Sequence, residues 1–331
     1  MDVDAFVARH QDEWRRLDVL SRRRRLDAAE ADELVRLYRR CATQLSTLRS
    51  RTPDPVTVAR LSGLLARARA AVLGEPGLTG WASVRHGVTV LFPLAVYQAW
   101  RWWLGCLLIS YGFIAVTIGY LDRHPAKLRS VLSDADIRQL VQHDFADYYR
   151  SDPAHDFALH VWTNNALVAA LTLILGITLI GTVWVLFNNV LNVAVVGAAM
   201  SSAGKSSVFF GLILPHGLLE LTAVFVAAGA GLRTGWAWVA PGRLPRGQSL
   251  AQAARASITV ALGLIVVLAV SGAIEGFVTG SGLPTAVRIG IGGLAEAAFL
   301  GYVIVFGRRA VAAGISGDLE AGDREDYAPV A

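Results

Sequence analysis

His216 and Glu220 stand four residues apart inside a run, Leu212 to Val226, that is otherwise almost wholly apolar. On a helix that spacing puts both on one face, a turn apart. An imidazole and a carboxylate so placed can share a hydrogen bond, pass a proton, or turn two ligands toward one metal ion. Glu275 and Glu296 lie in two later apolar runs, and Asn164, Asn165, Asn188, Asn189 and Asn192 in two earlier ones. Asn188 and Asn192 repeat the four-residue spacing. Only the short stretch 201–207 separates their run from that of His216, so the two helices are expected to be neighbours, with the Asn amides donating to Glu220.

Three chemistries fit such a set. The simplest is hydrogen-bond glue between helices, worth about 0.6–2 kcal/mol per contact. A path for a proton, ion or substrate is the second, because an ionisable group at a membrane centre costs about 2.5–3.5 kcal/mol and calls for a partner or a role. A metal site is the third, with His216 and Glu220 joined by Glu275 or His160. That pattern lacks the second helical histidine of His-Glu-x-x-His, so no metal is assigned, and no cofactor. No nucleophile–base constellation is evident either, so no catalytic residue is expected. Gly204-Lys205-Ser206 lacks the upstream glycine of a phosphate loop, and Gly229-x-Gly231 sits inside an apolar run.

The elements that must hold these residues are membrane helices. Hydrophobic residues make up 54% of the 331-residue chain and charged residues 17%, against about 25% charged in an ordinary soluble domain. The charge is uneven: residues 1–85 hold 16 of the 31 basic and 11 of the 26 acidic side chains. The expected fold is all-α and polytopic, a cytoplasmic helical domain (1–85), a membrane domain (86–310) and a disordered cytoplasmic tail (311–331). About six transmembrane helices are expected, near 102–121, 160–179, 182–200, 208–231, 256–275 and 287–307. An interfacial elbow over 86–100 precedes them, because one helix over 86–121 would run about 54 Å against a hydrocarbon core of about 30 Å. Trp100, Trp102 and Trp103 would sit at headgroup level.

The stretch 158–200 is almost uncharged and too long for one span, so it is divided at Gly176–Gly181. Loop charges test that division. With six spans and the N-terminus inside, the loop 233–255 is cytoplasmic, carrying Arg233, Arg243, Arg246 and Arg255 with no acidic residue. Leaving 158–200 whole would place those arginines outside, against the positive-inside rule. Residues 122–157 then form an outer polar loop.

In the N-terminal domain, apolar residues recur at steps of three and four: Leu34, Leu37, Tyr38, Cys41, Leu45 and Leu48 in one helix, Val58, Leu61, Leu64, Leu65, Ala68 and Val72 in the next. Asp27-x-x-Glu30 reads as a capping box. The run Arg22-Arg23-Arg24-Arg25 invites a nucleic-acid reading, but acidic residues interleave and membrane spans follow, so a basic segment beside anionic lipid is expected and no nucleic-acid partner. Two cysteines, Cys41 and Cys106, form neither a disulfide framework nor a metal spacing. No signal peptide is visible.

Asn164-Asn165, the glycine-bearing turn at 176–181, the asparagines at 188–192 and above all Leu214-Pro215-His216-Gly217-x-x-Glu220 resemble the stage II sporulation protein M family. Ala273-Ile274-Glu275-Gly276-Phe277 is similar to that family's later acidic segment, and the resemblance covers roughly residues 85–310. It implies a bacterial membrane protein, and the loop charges put both termini on the cytoplasmic side. The founding member is a scaffold that works with two cell-wall hydrolases during forespore engulfment. Relatives outside the endospore formers carry extended N-terminal helices, often beside genes for MoxR-type ATPases and RDD-type membrane proteins. The expected function is therefore a non-enzymatic scaffold or regulator that recruits membrane or cytoplasmic proteins through its N-terminal helices, with a homodimer compatible with the glycine-bearing spans. A transporter or permease subunit using the Asn/His/Glu cluster is the alternative, and an intramembrane metal-dependent enzyme the third.

Overall fold

The computed structural model describes residues 3–23, 26–51, 54–72, 81–141 and 154–317, which form helices and no strand. The chain divides into two units, Met1–Arg85 and His86–Ala331.

In the first unit, α1 (Val3–Ser21), α2 (Ala28–Arg51) and α3 (Pro55–Val72) pack pairwise. Their apolar stripes close one core, with Leu17, Leu20, Cys41, Leu48 and Ala68 fully buried. The expected capping box opens α2: Asp27 Oδ1 accepts from the Glu30 amide at 2.8 Å, and Glu30 Oε2 from the Asp27 amide at 3.3 Å. Asp54 caps α3 by accepting from the Thr57 amide at 2.9 Å, and Pro55 sits at a first-turn position where a missing N–H costs nothing. Two members of the arginine run are paired inside this unit, Arg22 with Asp18 and Arg23 with Glu30. Arg24 and Arg25 lie outside the described residues.

α4 (Trp81–His86) ends at the first residue of the second unit, which continues with a π-helical stretch (Gly87–Leu91) and α5 (Phe92–Gln98). The chain turns at Ala99 into α6 (Trp100–Arg123), and the Trp103 indole ties the corner by donating to the Val96 carbonyl at 3.0 Å. This is the elbow, and its second half is packed. Phe92, Ala95 and Val96 share a core with Val260, Leu264, Phe299 and Val303.

Among the described residues six helices are long and apolar enough to cross a membrane: Trp100–Arg123, Ala158–Thr178, Ile180–Ser202, Ser206–Val239, Arg246–Thr279 and Thr285–Ala312. The second joins α9 (Ala154–Ile174) to a 3-10 turn (Leu175–Thr178), and the third is α10 (Ile180–Ser202). The turn falls where the uncharged stretch was divided, and Leu179 enters the left-handed region at φ 56° to make it. Gly176 presses on Gly231 so closely that a Cβ there would collide with backbone.

α11 (Ser206–Val239) is central, with α6, α9, α10, α12 (Arg246–Ile274) and α13 (Thr285–Ala312) all packed against it. At 34 residues it runs about 51 Å, past the expected end at 231, because no helix-stopping residue intervenes before Pro241-Gly242. The described part of the expected polar loop is also helical, as α7 (Pro125–Val131) and α8 (Asp134–Gln139). Such short elements show no readable period; α8 depends on a capping box between Ser133 and Asp136. Residues 142–153 of that loop, and 318–331 of the tail, lie outside the described residues.

Candidate functional site

α11 carries Pro215, His216 and Glu220 two to four turns from its N-terminus. Pro215 lies inside the helix, and Gly292 of α13 approaches its carbonyl so closely that any Cβ there would collide. α12 ends in a π-helical turn, Glu275–Thr279, an element that recurs at functional sites because it re-aims side chains within a helix. That turn brings Glu275 to the face of α11 that carries His216.

His216 Nε2 lies 3.7 Å from Glu275 Oε1, and His216 Nδ1 3.2 Å from Thr279 Oγ1. The Ser271 hydroxyl donates to the His216 carbonyl at 3.1 Å, and Asn165 lines the same cavity as Glu220. His216 and Glu275 are 5% and 4% exposed. One oxygen of Glu220 and one of Glu275 are buried with no hydrogen-bond partner among the described residues. A packed polar seam should leave few such orphans, since each costs about 1–3 kcal/mol and more when charged.

These groups surround a cavity of about 420 Å³ whose polar lining is His160, Asn164, Asn165, His216, Glu220 and Glu275. His160 and Asn164 are exposed, so the cavity reaches the surface of the unit near the start of α9. Glu296 stands apart and accepts from the Thr222 hydroxyl at 2.9 Å.

Of the residues singled out in the sequence, the structure gathers His216, Glu220, Glu275, Asn164, Asn165 and His160 at one place. It does not bring Asn188 and Asn192 there. Both are exposed, and Asn188 donates to the Trp184 carbonyl of its own helix at 2.8 Å. The reason is helical phase: α10 packs through Val190, Ala194 and Ala198, and a residue two positions away lies about 200° around the helix. Ser271 and Thr279 were not anticipated. Their signal was present, since Ser271, Glu275 and Thr279 repeat the four-residue spacing of one face.

Comparison with known proteins follows the same residues. Residues 89–280 match the family model described as Stage II sporulation protein M. The chain belongs to the Stage II sporulation protein M family. The Stage II sporulation protein M match contains every side chain named around the cavity and stops before Glu296. Residues 4–74, the helices of the first unit, match a domain of unknown function, DUF8413. No curated protein and no solved structure matches the chain.

Proposed function

We propose that this Stage II sporulation protein M family member is a membrane scaffold, which binds partners through an unpaired face of α10 and recruits others through its N-terminal helices. The observation that carries it is the stripe Trp184, Asn188 and Asn192, one residue per turn, exposed on a helix apolar enough to cross a membrane. The Asn188 amide bonds to the carbonyl of its own helix, and an amide exposed on a membrane span finds its best partner in a polar group on another helix. Trp184 at 64% exposure, with Val183 and Phe187 beside it, supplies apolar contact. The membrane is the bacterial cytoplasmic membrane with both termini inside; Arg243, Arg246 and Arg255 between the fourth and fifth spans support that orientation. We assign no catalytic residue.

In-membrane cross-linking tests the scaffold reading. Cysteine at Asn188 should give a covalent adduct, either a doubled chain or one fixed heterologous band. Cysteine at Val266, exposed on α12, should give none. Equal behaviour at the two positions would refute the interface.

A transporter or permease subunit is the second reading, favoured by the polar cavity. Flux through vesicles that Glu220→Gln abolishes in folded protein would establish transport in its place.

A further inference from the structure

His216 stands among carboxylate oxygens that lack a hydrogen bond. His216 Nε2 lies 3.7 Å from Glu275 Oε1, and one oxygen of Glu220 and one of Glu275 are buried with no hydrogen-bond partner among the described residues. Buried carboxylate oxygens beside an imidazole and open to a cavity suit a bound cation, because a cation offsets the cost of burying them.

Glu220 adds a second carboxylate. The three residues each offer one ligand atom, and those atoms all lie within 4.8 Å of one another. Ligands about 2.0–2.2 Å from a tetrahedral ion stand about 3.4 Å apart, so the His216–Glu275 pair is near that spacing already. Rotation of the Glu220 side chain into the cavity closes the remainder. One outer contact is of the kind a metal site uses: the Thr279 hydroxyl stands 3.2 Å from His216 Nδ1, the ring nitrogen that would not bind the ion. The cavity beside the cluster leaves room for a water, or for the Asn164 amide oxygen, as a fourth ligand.

We propose that His216 Nε2 and one oxygen each from Glu220 and Glu275 bind a single divalent first-row transition-metal ion of the Zn²⁺ class. An imidazole ligand selects against Mg²⁺ and Ca²⁺, which take oxygen ligands. Two carboxylates balance the charge of a divalent ion, which offsets the cost of holding them at membrane depth. The proposal stands on the cavity alone and is independent of the α10 interface.

The test is metal binding by the purified full chain in detergent, stripped with chelator and then dialysed against excess Zn²⁺. One Zn²⁺ per chain is expected, with a stability gain on loading that Mg²⁺ does not give. His216→Ala and Glu275→Gln should each lower the affinity at least about tenfold, and Thr279→Val, which keeps all three ligands, about tenfold. Co²⁺ in the wild-type chain should show visible ligand-field bands, a readout that does not depend on any variant folding. Absence of those bands in folded wild-type protein would overturn the proposal. So would Zn²⁺ binding unchanged in His216→Ala, or Mg²⁺ binding as tightly as Zn²⁺.

Discussion

At the scale of single residues, the site depends on one close approach. A Cβ at Gly292 would run into the Pro215 carbonyl, whereas one at Gly293 would meet nothing within 4 Å. Gly292→Val should therefore push α13 off α11 and lower stability by about 1–3 kcal/mol, the usual cost of overpacking. Gly293→Val should have less effect than that, and thermal unfolding of the two variants in detergent measures the difference. The residues that carry charge were legible in the sequence because an ionisable group in an apolar run is conspicuous. Which of them meet was not. Four-residue spacing put Asn188 and Asn192 on one face, but only the packing of Val190 and Ala194 decides that this face looks outward. Ser271 and Thr279 went unread because hydroxyls attract no notice in a membrane span, where they commonly bond to their own backbone.

At the scale of helices, α1 and α3 are joined by an ion pair whose strength depends on pH. Arg67 Nη2 lies 2.9 Å from Asp18 Oδ1, and Arg22 Nε 2.9 Å from Asp18 Oδ2. Burial alone would raise the Asp18 carboxyl, but the hydrogen bonds from Arg67 and Arg22 outweigh it and hold the group below its ordinary value. A carboxyl lowered by folding stabilises the folded state above its unfolded value, about pH 3.9, and that contribution disappears as pH falls through the folded value. Helical circular dichroism of residues 1–85, melted at falling pH, should show stability declining below about pH 4. Asp18→Asn should flatten part of that decline; an unchanged acid profile would mean the pair contributes nothing. In the same core, burial pushes the Cys41 thiol up to about 12, as suits a packing residue rather than a reactive one. Helix number and the turn at 175–178 were readable, since composition and loop charge constrain both. Helix ends were read less well. α11 runs on to Val239 and α12 starts at Arg246, because polar residues such as Gln248 and Gln252 continue a helix as readily as they end a hydrophobic run.

At the scale of the molecule, four helices contribute to the cavity from one end of the membrane unit: the start of α9, the last turns of α10, the first turns of α11 and the π-helical end of α12. That end carries the connections 203–205 and 280–284, the outer ones in the orientation proposed above. Sequence alone favoured hydrogen-bond glue for these polar residues, because glue is the common role of such groups. A cavity of about 420 Å³ with two unpartnered carboxylate oxygens is poor glue and a good binding site. The distinction was invisible in the sequence because it depends on the space left between helices.

The most direct test of that distinction is whether a small polar reagent reaches the cavity. Val193 lines it, and both native cysteines are buried, so Val193→Cys introduces one reportable thiol. In membranes, a small cationic thiosulfonate reagent applied from outside should modify Cys at 193 and should be slowed by prior addition of Zn²⁺. A thiol at 193 that stays unmodified in folded protein, yet reacts once the protein is unfolded, would show the cluster to be packed shut and contradict the account.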